Sequence, residues 1–191
     1  KKSGAKVLAI TNVVGSSISR EADSVVYTWA GPEIAVASTK AYTAQIAALA
    51  FLAKAVGEAN GNEKAKAFDL VHELSLVAQS IESTLSEKEV IDEKVAALLS
   101  ETRNAFYIGR GQDYYVAMEA SLKLKEISYI QCEGFAAGEL KHGTISLIED
   151  NILVIGVLTQ SKLYEKTVSN MMECKSRGAY LMGVTNYGNY E

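Results

Sequence analysis

Metal and disulfide chemistry have little to work with in this sequence, whose 191 residues include two cysteines and two histidines. Cys132 and Cys174 form no Cys-x-x-Cys or other ligand spacing, and His72 and His142 lie far apart. No metal site is expected, and two reduced thiols fit a reducing, cytoplasmic compartment. No apolar run approaches the roughly 18 residues of a membrane span. A signal-peptide pattern and an N-x-S/T sequon are also missing. Lys and Arg do not cluster, and a net charge of −4 argues against a nucleic-acid surface. What the chain does have is apolar residues, at 48%. That is enough for a sizeable core, divided between one or two domains.

The apolar segments alternate between strand-like and helix-like spacing. Lys6–Thr11 is a short β-branched run leading into Asn12 and Gly15, which predicts a buried strand, and Ser24–Trp29 predicts a second. Ser38 is placed as the cap of a long Ala/Leu helix running to about Val56 and ended by Gly57. Glu58–Glu63, with two Asn and Gly61, reads as a linker. Lys64–Leu85 and Lys88–Ser100 have helical apolar spacing. Ala105–Ile108 predicts a strand before a further helix, and Asn151–Leu158 and Ala179–Thr185 predict two more with a helix over Lys162–Arg177 between them. The expected fold class is α/β, a doubly wound parallel sheet with helices on both faces.

The stretch EASLKLKEISYIQCEGFAAGELKHG, Glu119 to Gly143, carries the chemistry. On a helix Glu119, Lys123 and Glu126 stand at i, i+4 and i+7, which puts three ionisable groups on one face. Such pairs are also ordinary surface decoration, worth about 0.2–0.5 kcal/mol. The continuation separates the two readings. Gly134, Ala136, Ala137 and Gly138 predict a loop of small residues, open to close ligand approach, before Glu139, Lys141 and His142. A carboxylate, an amine and an imidazole are the groups that an aldose/ketose proton transfer requires.

Other motifs carry less. Gly109-Arg110-Gly111 lacks the third glycine of a dinucleotide fingerprint, Tyr114 standing in its place, so a tight strand-to-helix turn explains it. His72 falls within an amphipathic helix, where a structural or surface role is expected. Ser16, Ser17 and Ser19 could bind an anion, although turns and caps account for them.

KLKEISYIQCEGFAAGELKHG resembles the signature of the isomerase half of the glutamine:fructose-6-phosphate aminotransferase family, a tandem pair of sugar isomerase (SIS) domains. GPEIAVASTKAYTAQ, Gly31 to Gln45, resembles that family's Gly-x-Glu-Ile-x-Val-Ala-Ser-Thr-Lys-Ala segment at the end of the first SIS domain. The resemblance implies a fragment, with residues 1–58 the last part of a first SIS domain and 59–191 most of a second. The glutaminase domain, the first domain's phosphate-binding Ser/Thr loops and a C-terminal lysine would lie outside it.

By the same resemblance the reaction is amination of fructose 6-phosphate by glutamine-derived ammonia, followed by isomerisation to glucosamine 6-phosphate, with no metal or redox cofactor. Glu126 matches the carboxylate that shuttles a proton between C1 and C2, Lys123 its neighbouring amine, and His142 the imidazole implicated in ring opening. Val36, Ser38 and Glu119 match substrate-binding positions. The implied partners are the sugar phosphate, the parent chain's glutaminase domain, and a second copy in a homodimer whose active site receives the His142 equivalent. Thr144 stands where some relatives have proline, which alters loop stiffness and removes no chemical group. Two other functions share the fold, a non-catalytic phosphosugar-binding module and a different SIS isomerase or deglycase. The first would not need Glu126 and His142 together.

Overall fold

A computed structural model describes residues 1–186, in two compact units, 1–92 and 93–186. In the first unit, strand β1 (Leu8–Thr11) pairs in parallel with β2 (Ser24–Tyr27), Leu8 opposite Ser24 and Thr11 opposite Tyr27. The connection between them holds a short helix, α1 (Ser17–Glu21), capped by the Ser16 hydroxyl, which accepts from the Ser19 N–H. The serine run is therefore a cap and turn, as read from the sequence.

Helix α2 (Lys40–Ala59) follows, and it departs from expectation at both ends. Ser38 is not its cap. Thr39 occupies that position without a side-chain cap bond, and the Glu33 carboxylate, from eight residues upstream, accepts the Ala41 N–H at 2.8 Å. At the other end the helix passes through Gly57 and ends at Ala59, with Asn60 as its cap and Gly61 just beyond at a φ of +74°, a left-handed conformation that suits glycine. The expected linker is an ordered turn, in which the Asn62 side chain accepts from Lys64 N at 3.0 Å and Ala65 N at 3.3 Å to start α3 (Glu63–Ala67). The single helix predicted over Lys64–Leu85 breaks at Phe68–Asp69. Asp69 caps α4 (Leu70–Ser86) by accepting the His72 N–H at 3.1 Å, and His72 itself lies exposed. Helix α5 (Lys88–Leu99) spans the junction of the units in sequence.

The second unit is built on a four-stranded parallel sheet ordered β4-β3-β5-β6, with β3 at Asn104–Gly109, β4 at Gln131–Ala136, β5 at Leu153–Leu158 and β6 at Tyr180–Thr185. Helix α6 (Gln112–Ser128) carries the chain from β3 to β4, and α7 (Tyr164–Lys175) from β5 to β6. Because alternate strand residues face opposite sides, β3 and β5 feed two separate cores. Phe106, Ile108, Val154 and Leu158 pack with Met171 and Cys174 of α7. Ala105, Leu153 and Ile155 pack with Cys132 of β4, joined by Leu98 and Leu99 of α5 and Leu124 of α6. Helices thus cover both faces, and all six residues of β5 are buried between them, which is why LVIGVL reads as an unbroken apolar run.

β4 corrects the sequence reading. Gly134, expected in a small-residue loop, is a strand residue opposite Tyr107. A Cβ at Gly134 would lie 2.8 Å from the Met118 Cα, so its bareness lets α6 lie directly on the sheet.

Candidate active site

Helix α6 is fixed at its start by both packing and hydrogen bonds. A Cβ at Gly109 would come within 2.5 Å of the Asp113 backbone carbonyl, so the strand-to-helix turn at Gly109-Arg110-Gly111 is as tight as predicted. One turn on, the Asp113 carboxylate is 3% exposed and accepts from Thr159 N at 3.0 Å, Gln160 N at 3.3 Å and the Thr159 hydroxyl. Gln160 Nε2 in turn donates to the Arg110 carbonyl at 2.7 Å. β3 and β5 are the strands between which the chain changes direction, and open α/β sheets bind ligands at the carboxyl ends of such a pair. Here these internal bonds span that crevice.

Farther along α6, Lys123 Nζ donates to Glu126 Oε2 at 2.6 Å and lies 3.6 Å from Glu119 Oε1. The three side chains are 20%, 26% and 26% exposed, half-sheltered rather than solvated decoration. The hydrogen bond with Glu126 raises the Lys123 pKa, burial opposes it, and the charges of Glu126 and Glu119 add to the rise. Lys123 therefore stays an ammonium at neutral pH, a fixed cation between two carboxylates. A carboxylate held this way has an oriented oxygen for proton transfer and a neighbouring charge to balance an anionic intermediate.

His142 is placed differently. It ends a 3₁₀ stretch, Ala137–His142, anchored by buried Ala137 and Leu140, with its imidazole 75% exposed. Its one polar contact among the described residues is Nε2 to Glu139 Oε2 at 3.9 Å. None reaches the α6 trio.

Val36 and Ser38 belong to the first unit, on the segment between β2 and α2. Val36 is 94% exposed and Ser38 is half-buried, its hydroxyl donating to Glu33 Oε1 at 3.4 Å. The start of that segment is held by Asn12, whose Nδ2 donates to the Gly31 carbonyl at 2.6 Å and whose Oδ1 accepts from Thr28 Oγ1 at 3.0 Å and Ala30 N at 2.9 Å. Sequence reasoning passed over Asn12, Glu33 and Asp113. Glu33 stood inside the quoted Gly31–Gln45 block, and a polar residue at a strand exit was the available signal for Asn12.

Among the described residues no group of three or more His, Cys, Asp or Glu could hold a metal ion, and no helix is long and apolar enough to cross a membrane. A cavity of about 540 Å³ lies at the amino ends of β3 and β6, lined by Arg103, Asn104 and Tyr180 among others. That is the end of the sheet opposite the one where such folds bind ligands.

The profile of the SIS domain matches residues 1–55 and 98–189. The chain belongs to the SIS-domain family. It is 71% identical over 181 residues to a glutamine–fructose-6-phosphate aminotransferase (isomerizing) of Streptococcus pneumoniae, covering 95% of this chain and 30% of that protein. With the enzyme of the same name from Streptococcus mutans the identity is 67%, over 97% of this chain and 31% of the relative. The solved C-terminal domain of glucosamine-fructose-6-phosphate aminotransferase from Francisella tularensis superimposes with a TM-score of 0.86 at 35% identity, over 93% of this chain and 50% of that one. This SIS chain spans about 30% of the length of the curated relatives it matches.

Proposed function

We propose that this SIS chain is part of the isomerase portion of a glutamine–fructose-6-phosphate aminotransferase, with residues 1–58 in a first SIS domain and 59–191 in a second. In this reading the enzyme converts fructose 6-phosphate and glutamine-derived ammonia to glucosamine 6-phosphate in the cytoplasm, without metal or redox cofactor. The 2.6 Å bond between Lys123 and Glu126 carries the proposal, in a chain 71% identical to a relative of that name. Glu126 moves the proton between C1 and C2. Lys123 orients that carboxylate and balances charge as the enediol forms, with Glu119 flanking it. Val36 and Ser38 hold the sugar.

His142, exposed at the end of its 3₁₀ stretch, has the accessibility that ring opening in a neighbouring subunit of a homodimer requires. The glutaminase domain of the parent chain supplies ammonia. A non-catalytic SIS module would bind the same sugar phosphates, and what argues against it is the sheltered Glu119-Lys123-Glu126 row, which binding alone does not call for.

The test is Glu126→Gln in the full-length enzyme. Loss of the base is expected to lower kcat for hexose-phosphate isomerisation by at least about 10²-fold, with sugar-phosphate binding retained. Retention of more than about a tenth of wild-type kcat removes Glu126 from the role.

A further inference from the structure

We propose that Arg110 is a positioning residue for His142: its guanidinium, held on Asn170, braces the 3₁₀ stretch Ala137–His142 at Gly138 and so fixes where the imidazole stands. The inference rests on the reading of His142 as the group that opens the sugar ring, and it says what keeps that group in place.

A 3₁₀ helix has three residues per turn, so side chains three apart eclipse and the stretch presents three rows. The rows have different surroundings. Ala137 and Leu140 are fully buried in the core that α7 shares with β3 and β5. Glu139 and His142 are exposed, and the imidazole makes no hydrogen bond among the described residues. The third row, Gly138 and Lys141, borders a cavity of about 400 Å³ whose wall also includes Arg110, Asn170 and Glu173. Apolar packing leaves that flank unfilled, and polar groups hold it instead.

Gly138 meets Arg110. A Cβ there would lie 3.1 Å from Nη1 and 3.3 Å from Cζ, so the guanidinium sits directly against the bare glycine. It is kept there by Asn170, 5% exposed, whose Oδ1 accepts from Nε at 3.1 Å and from Nη2 at 2.9 Å. Those two bonds use both lone pairs of the amide oxygen. The Arg110 backbone is tied as well, its carbonyl accepting from Gln160 Nε2 at 2.7 Å. Lys141, the other member of the row, donates to Glu173 at 2.8 Å, and Asn170 Nδ2 donates to the same carboxylate at 3.5 Å. Asn170 and Glu173 stand three apart on α7, so one face of that helix grips the row on either side of buried Leu140. His142, without a partner of its own, takes its position from this backbone. A displacement of about 1 Å at a reacting group can cost about 10²-fold in rate.

The experiment uses the full-length enzyme and two substrates, fructose 6-phosphate and 5-deoxyfructose 6-phosphate, which lacks the hydroxyl that closes the furanose ring and is therefore always open. The variants are Arg110→Lys, Asn170→Ala, His142→Asn and the Arg110→Lys/His142→Asn double. Arg110→Lys keeps the charge but loses the planar fork that bonds Asn170 twice and lies against Gly138. It and Asn170→Ala are each expected to lower kcat for isomerisation of fructose 6-phosphate at least about tenfold, while kcat on the open analogue stays within about threefold of wild type. The double variant should match His142→Asn to within about twofold, because a brace has nothing to position once the imidazole is gone.

A general loss of structure would slow both substrates alike, and that outcome overturns the inference. So does a wild-type kcat on fructose 6-phosphate in Arg110→Lys beside a slow His142→Asn, a result that leaves the ring-opening reading intact. Multiplicative losses in the double variant overturn it as well. A wild-type kcat in His142→Asn defeats the ring-opening reading itself, and the inference falls with it. If Arg110→Lys does not fold, Asn170→Ala takes its place, alone and paired with His142→Asn, under the same expectations.

Discussion

β2 and β5 are both short parallel strands rich in β-branched residues, and the chain treats them in opposite ways. β5 is buried along its whole length. In β2, SVVY, exposed residues alternate with half-buried ones, and neither Val25 nor Val26 is fully covered. The same contrast runs through the two units. Among the described residues the first unit buries four apolar side chains, Ala9, Ala37, Ala41 and Leu70, three of them alanines, while the second has two full cores. Strand propensity is therefore not what makes β5 a core element, since β2 shares it. The packing of α6 on one face and α7 on the other is.

The contrast extends to the candidate site residues. Glu119, Lys123 and Glu126 stand on a helix pressed against the sheet through Gly109 and Gly134 and tied down by Asp113. Val36 and Ser38 stand on a segment held by polar clips, Asn12 at one end and Glu33 at the other. Packing fixes the helix backbone from which the first group projects. The second group depends on two side chains, and single substitutions there should be felt.

The largest expected effect tests the packing half of this contrast. Ile108, fully buried beside Val154 and Met171, should cost about 2–5 kcal/mol when replaced by alanine, read from the denaturation midpoint of the chain. A loss below about 1 kcal/mol would mean that the core relaxes into the space and is not the rigid platform described here.

A smaller effect comes from the thiols, both of which lie in the second unit. Burial pushes the Cys132 and Cys174 thiols up to about 11, and neither is exposed. At pH 8 in native buffer both should react with a disulfide reagent at least about 100-fold more slowly than in denaturant, because the closed molecule keeps nearly all of each thiol protonated and away from the reagent. Rapid labelling of Cys174 alone would show that the α7 side opens independently of the α6 side.

The elements that the sequence revealed best are those whose burial leaves an unmistakable pattern. β5 was found within a few residues of its ends because a core on both faces makes it an unbroken apolar run, and β6 and α7 because their apolar residues face the sheet's neighbouring strand and core. The Glu119-Lys123-Glu126 row was found because helical period alone puts those residues together, and the structure brings them into contact. β4 was missed because QCEGFA has glycine where strand apolarity would be, and its strand character comes from pairing with β3 and from the close approach of α6. The cap of α2 was misassigned for a related reason. A serine adjacent to the helix is the local signal, but the group that accepts the Ala41 N–H arrives from Glu33, and such a loop-borne contact leaves no trace in local spacing.

The smallest expected effect concerns the first unit's apolar surface. Leu49 and Phe51 of α2 are 53% and 47% exposed, and Val56 is 52% exposed. In this chain Leu49→Ala should change stability by no more than about 0.5 kcal/mol, since it removes few contacts and alanine is the better helix former. In a full-length enzyme of the kind proposed, the same substitution becomes a probe of what covers that face. A cost there of about 2 kcal/mol or more would be that of a buried leucine and would mean that α2 packs against residues outside this chain. An equally small cost in both would mean that the apolar side of α2 stays in water. The contrast between the two units would then be a property of the fold itself and not of the portion of the protein seen here.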